Sequence, residues 1–253
     1  MSKNFELLQK LGKEQELLGS VDGKRREIPA TTIPAVAADP ANLAIQPGLE
    51  EVNALAQQIF LASGADAPRI VVFASTEPGS GCSWVCTHLG EVLANRVAGS
   101  VCLVDANLRD PSLHQHFGCD NDAGISDALV TLEPIRSFAS PLSVPNLCLI
   151  TAGTRGEESQ SLLSSDRMRL RLAELRREFD YVLIDTAAMS ICNDAIALGC
   201  ISDGVVMVLR ANASRRETAR QAIQDLQSGK AKVLGAVLNQ RTFPIPDSIY
   251  NKL

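Results

Sequence analysis

Six apolar runs, alternating with segments of helical spacing, constrain this chain more than any other feature of its sequence. They are "RIVVFAS" (69–75), "SVCLVDANL" (100–108), "NLCLITAG" (146–153), "YVLIDTAAM" (181–189), "GVVMVLRA" (204–211) and "KVLGAVLN" (232–239). Their hydrophobicity is continuous instead of alternating, as expected of strands covered on both faces. Helical spacing fills residues 50–63, 83–97, 122–130, 166–178, 193–200 and 215–228, and several of these segments open on a Ser or Asp suited to cap a helix. Repeated βα units predict an α/β fold: a doubly wound, mainly parallel sheet with helices on both faces, binding ligands at the carboxyl ends of its strands. With 253 residues, 45% of them hydrophobic, the chain is long enough to bury one such core.

The ends of the chain read differently. Residues 1–46 divide into a charged, helix-like stretch and a Pro/Ala-rich linker, "EIPATTIPAVAADPANLAIQP", whose prolines oppose regular structure. Residues 47–241 form the βα domain and 242–253 a C-terminal tail. No apolar run approaches the roughly 18 residues of a membrane span, and the N-terminus lacks an uninterrupted apolar signal core. The expectation is a cytoplasmic protein with no transmembrane segment of its own. A net charge of −5 gives no electrostatic reason to expect a nucleic-acid partner. The seven cysteines are odd in number, contain no C-x-x-C pair and sit mostly among apolar residues, which speaks against a disulfide framework.

Three strand ends carry polar residues where an apolar core would otherwise continue. The first, "STEPGSGCSW" (75–84), has Gly79 and Gly81 to turn the backbone and aim its N–H groups at an anion, with a helix start behind them. Gly79, Ser80, Gly81, Cys82, Ser83 and Trp84 are therefore candidate nucleotide-binding residues, with the Ser83 hydroxyl placed to ligate magnesium. Against the pattern G-x-x-x-x-G-K-[ST], Thr76 replaces the first glycine and Cys82 the lysine. At the second end, Asp105, Asn107 and Arg109 occupy alternate positions, which in an extended segment point the same way. At the third, Asp185 ends "YVLIDT". Ser83, Asp105 and Asp185 together fit a magnesium–phosphate site built from three strands. At a helix N-terminus the Cys82 thiol is expected to have a lowered pKa. His114, His116 and Cys119 fit no tetrahedral zinc spacing.

In order along the chain, "PGSGCS", "VCLVDANLRDPSLHQHFG", "GISDAL", "LLSSDRM", "FDYVLIDT", "SDGVVMVLRA" and "KVLGAVLN" resemble the cytoplasmic domain of the bacterial tyrosine autokinases (BY-kinases) of capsule and exopolysaccharide synthesis. These are P-loop relatives of the cell-division-site and chromosome-partitioning ATPases. The resemblance spans about residues 50–240. It implies a P-loop NTPase fold, ATP or ADP with Mg2+ as cofactors, and Asp105, Asn107 and Asp185 at catalytic positions. It further implies Arg109 near phosphate, Asn239 at the adenine edge and Tyr250 as possible phosphoacceptor. The implied partner is a polysaccharide co-polymerase or export component, met at the inner face of the membrane, with a possible homo-oligomer.

Four positions depart from that pattern. Cys82 supplies no cation where the family has a lysine against the β and γ phosphates. Asn107 replaces an aspartate, so the position offers neither negative charge nor a base. The family's C-terminal tyrosine cluster is reduced to Tyr250, and its E-x-x-R-x-x-R ring-forming helix keeps Glu51 but has Ala54 and Gln57 at the arginine positions. Loss of cation, base, acceptor and assembly contacts together predicts a degenerate kinase kept as a regulatory or nucleotide-binding subunit. The alternatives are a slow autokinase or ATPase, and a scaffold that binds no nucleotide.

Overall fold

The computed structural model describes residues 48–61, 64, 67–154 and 161–240. The N-terminal segment and linker, and Tyr250 in the tail, lie outside the described residues.

All six apolar runs form strands: β1 (Ile70–Ser75), β2 (Val101–Asp105), β4 (Leu147–Ile150), β5 (Tyr181–Asp185), β6 (Gly204–Arg210) and β7 (Val233–Asn239). A two-residue strand, β3 (Ser140–Pro141), is added at one edge. The sheet runs in the order β3-β4-β2-β5-β1-β6-β7, parallel throughout except for the antiparallel β3–β4 pair. Proline lacks an N–H for the ladder, and at this edge position none is required.

Alternate residues of each central strand enter opposite layers. Val72, Val104, Ile184 and Met207 pack on one face, against α4 (Ile125–Ala128), α5 (Asp166–Glu178), α6 (Asp194–Gly199) and α7 (Arg216–Ser228). Val71, Leu103, Leu183 and Val206 pack on the other, against α1 (Leu49–Ala56), α2 (Cys82–Arg96) and α3 (Leu113–Phe117). Both faces of the central strands are thus covered, which explains the unbroken hydrophobicity of their runs. The run at 232–239 departs from that expectation, since β7 lies at the sheet edge and is only partly buried, with Leu238 exposed. Leu89 and Leu93 of α2 are fully buried, each contributing about 1.5–3 kcal/mol from burial. Gly90 lets this helix lie close to the sheet, since a Cβ there would stand 2.7 Å from Leu103 Cδ2.

α1 continues into a π-helical turn, Gln57–Leu61, whose Phe60 is buried and meets the Tyr181 ring edge-on at 5.6 Å. Glu51, Ala54 and Gln57 share the exposed side of this segment. No helix among the described residues is long and apolar enough to cross a membrane.

β2, β5 and β1 are adjacent, so the loops at their carboxyl ends converge. This brings together the three strand ends that the sequence marks as polar.

Candidate functional site

Between β1 and α2 the backbone turns sharply, with Gly79 and Gly81 at φ of 75° and 79°. Ser80 Oγ donates to the Glu77 carbonyl at 2.7 Å and Ser75 Oγ to the same oxygen at 3.2 Å, closing the turn on itself. From the far side, Asn239 Nδ2 donates to the Ser80 carbonyl at 3.0 Å and Gln240 Nε2 to the Gly79 carbonyl at 3.2 Å. Gly81 is required twice over: its φ is left-handed, and a Cβ would fall 2.2 Å from Asn239 Nδ2. The loop's carbonyls are thereby occupied, whereas no acceptor among the described residues takes up the N–H groups of Gly79, Ser80, Gly81, Cys82 or Ser83. A row of unpaired N–H groups running into a helix N-terminus is an anion cradle.

Beneath it lie two carboxyls on neighbouring strands, with Asp105 and Asp185 in direct register. Asp105 is fully buried and accepts from the N–H groups of Ser112 and Leu113, both at 3.0 Å, and of Asn107 at 3.2 Å. Burial nevertheless pushes its pKa up to about 6. Asp185 is also fully buried, and Ser83 Oγ donates to its Oδ2 at 2.5 Å. Burial first, and then the charge of Asp105, push Asp185 up to about 7, against the hydrogen bond from Ser83. Its Oδ1 is buried without a hydrogen-bond partner. An orphaned carboxylate oxygen next to a serine hydroxyl fits a hard cation such as Mg2+, which takes oxygen ligands. None of the groups that most strongly set the proton affinity of Asp185 is a lysine or arginine.

Two sequence expectations are corrected here. The Cys82 thiol is not acidified. It is 7% exposed, and burial, then the Asp185 charge, raise its pKa well above the ordinary value, outweighing the pull of the helix terminus. Nor do Asp105, Asn107 and Arg109 continue as an extended segment. The strand stops at Asp105 because that carboxylate draws in three backbone N–H groups. Asn107 then closes the following turn, with Oδ1 accepting from Asp110 N at 3.2 Å and Nδ2 donating to Asp110 O at 2.8 Å. Arg109 is exposed, and it lies near the Cys192 thiol, where it opposes the burial that raises that thiol's pKa.

The remaining candidates divide between the loop and its surroundings. Ser80 braces the loop from within and Asn239 from the far side, through its Nδ2. Trp84 is 40% exposed and stacks on His88, with ring centroids 4.1 Å apart.

Three features escape sequence reasoning. Gln240 acts beside Asn239 and was detectable only as the second amide of "NQ". Thr76 Oγ1 is buried without a partner. Asp127, in "GISDAL", binds Gly124 N, Thr154 N and Thr154 Oγ1 and so ties α4 to the end of β4. Burial works to raise the pKa of Asp127, but these donors bring it below the usual carboxylate value.

No protein-family model matches the chain. Among characterised proteins it is 30% identical over 190 residues to the tyrosine-protein kinase YwqD of Bacillus subtilis, covering 75% of this chain and 80% of that protein. It is 32% identical over 193 residues to the EpsB protein of Ralstonia nicotianae, where the match covers 76% of this chain but only 26% of the longer relative. Among solved structures, the kinase domain of the Escherichia coli tyrosine kinase ETK superposes with a TM-score of 0.70 at 24% identity, covering 78% of this chain and 79% of that one. The septum site-determining protein MinD of Pyrococcus horikoshii, solved with Mg-ADP, superposes with a TM-score of 0.59 at 19% identity, covering 73% and 76%. These last two likenesses concern the fold, a P-loop NTPase sheet. The extent and identity of the match to the Bacillus enzyme establish that this chain belongs to the bacterial tyrosine-protein kinases.

Proposed function

We propose that this chain is a degenerate kinase that holds a magnesium nucleotide and transfers phosphate slowly at most. Its role is that of a regulatory or nucleotide-binding subunit in exopolysaccharide or capsule biosynthesis or export. The observation that carries the reading is the combination at one strand end: unpaired loop N–H groups, an orphaned Asp185 oxygen, and an uncharged thiol at Cys82. The N–H groups of residues 79–83 bind phosphate oxygens, which needs no side-chain charge. Ser83 and Asp185 hold the metal, with Asp105 behind them. A bound Mg2+ ion supplies charge neutralisation and orients the phosphates.

The transfer step lacks two contributions. Cys82 offers no cation to the phosphoryl group as it leaves, and loss of a single preorganised donor costs roughly a hundred- to a thousandfold in rate. Asn107 cannot accept a proton, and its amide is engaged by Asp110. Ground-state binding depends less on either group. The regulatory role, the polysaccharide partner at the inner membrane face and any homo-oligomer follow from the resemblance to the BY-kinases. Tyr250 remains the candidate phosphoacceptor of the alternative, slowly active reading.

The test compares ATP turnover by the natural chain with that of Cys82→Lys, alone and combined with Asn107→Asp. The proposal expects nucleotide binding by all three and turnover at least roughly a hundredfold faster in the double variant. Fast turnover by the natural chain, equal to that of the double variant, would identify a competent enzyme and refute the proposal; equally slow turnover in both would refute the assignment of the defect to Cys82 and Asn107.

A further inference from the structure

One turn along α2 from Trp84, two of the chain's three histidines meet an acidic residue. His88 and Glu91 are one turn apart on α2, and His116 comes from α3. Their ligand atoms lie within 4.8 Å of one another, with His116 Nε2 4.0 Å from Glu91 Oε1. We propose that His88, Glu91 and His116 form a binding site for a divalent transition metal of the zinc class.

Residue type, orientation and geometry support this assignment. Two imidazoles and one carboxylate are a recognised three-ligand set for zinc, with water in the fourth position, and imidazole selects zinc-class ions over magnesium. The His88 Nδ1 lies 2.9 Å from the Trp84 carbonyl, an acceptor only, so in the neutral ring Nδ1 carries the proton and the Nε2 lone pair is presented outward. A hydrogen bond from the second ring nitrogen to a backbone carbonyl is the usual way a metal-binding histidine is oriented. The rings are further fixed in a continuous aromatic row: Trp84 stacks on His88, His88 meets His116 edge-on at 5.3 Å, and His116 meets Phe117 at 4.9 Å.

Metal–ligand bonds of about 2.0–2.1 Å in a tetrahedron place ligand atoms about 3.4 Å apart. Starting from no more than 4.8 Å, the three side chains therefore close by at most about 1.4 Å, within reach of rotation at a half-exposed surface. Sequence spacing does not reveal the site because its ligands come from two helices. Of the local trio His114, His116 and Cys119, only His116 takes part. The ion clamps α3 onto α2. α3 begins with Leu113, whose N–H, with that of Ser112, holds the Asp105 carboxylate, so metal occupancy steadies a strap of the carboxylate pair.

The experiment titrates the full-length, thiol-reduced chain with Zn2+ by calorimetry, alongside His116→Gln and Glu91→Gln, and records the absorption spectrum of the wild type with Co2+. The expected result is one Zn2+ per chain, affinity lower by roughly tenfold or more in each variant, and a Co2+ spectrum without thiolate-to-metal absorption. Absence of Zn2+ binding, equal affinity in the variants, or a thiolate signature would each overturn the proposal. The Co2+ spectrum needs no variant, so it discriminates between imidazole and thiolate ligation even if a substitution disturbs folding.

Discussion

Replacing Asp185 by Asn removes a buried charge while keeping an acceptor for Ser83 Oγ, and its effect on stability should depend strongly on pH. In the folded chain burial and the Asp105 charge raise the Asp185 pKa from 3.8 to about 7. Between those values the folded state holds a proton that the unfolded state has released, so stability falls as pH rises from about 4 to about 7 and then levels off. A difference of about 3 pKa units at 1.36 kcal/mol each is a penalty on the order of 4 kcal/mol above pH 7. Asp185→Asn escapes that penalty. For a domain of this size each 1 kcal/mol moves Tm by roughly 2–4 °C, so the variant should melt roughly 8–16 °C above the wild type at pH 8. Near pH 4.5, where both side chains are neutral, the two proteins should melt within a few degrees of each other. Calorimetric melts of both proteins at the two pH values measure this directly. The variant-minus-wild-type difference cancels Asp127 and Asp203, whose lowered pKa values contribute stability that is lost only as pH falls below the usual carboxylate range. An equal Tm gap at both pH values, or a less stable variant at pH 8, would refute the burial argument.

Two further outcomes follow from the loop. Gly81→Ala combines a left-handed φ with a Cβ 2.2 Å from Asn239 Nδ2, so denaturant unfolding should show a loss of about 2 kcal/mol together with weaker nucleotide binding; unchanged stability would mean that Asn239 is not locked to the loop. A short iodoacetamide pulse at neutral pH, mapped by mass spectrometry, should label the exposed Cys200 well before the buried Cys82. Equal labelling would restore the acidified thiol that the structure argues against.

The architecture was legible because its signal is hydrophobic burial. Val71 and Val72, pointing into opposite layers, both need to be apolar, and that demand writes a continuous run into the sequence. β3 carries no such demand: Ser140 and Pro141 are both exposed and span only two residues. α3, five residues long, is too short for a periodic stripe. The site was legible in its residue types but less so in its geometry. Alternation placed Asp105, Asn107 and Arg109 on one side, yet a carboxylate able to gather three N–H groups ends the strand sooner than spacing indicates. The thiol at position 82 shows the same limit, because a helix terminus is visible in sequence and the depth of burial beside Asp185 is not. The partnership of His88 with His116 depends on how α3 folds back onto α2, which no local spacing encodes.

The most direct test of the account titrates the full chain with ADP in the presence of Mg2+ by calorimetry. The account predicts saturable binding of one nucleotide per chain that weakens when Mg2+ is removed. No binding at millimolar nucleotide would contradict it, showing that the loop's free N–H groups do not form a phosphate site.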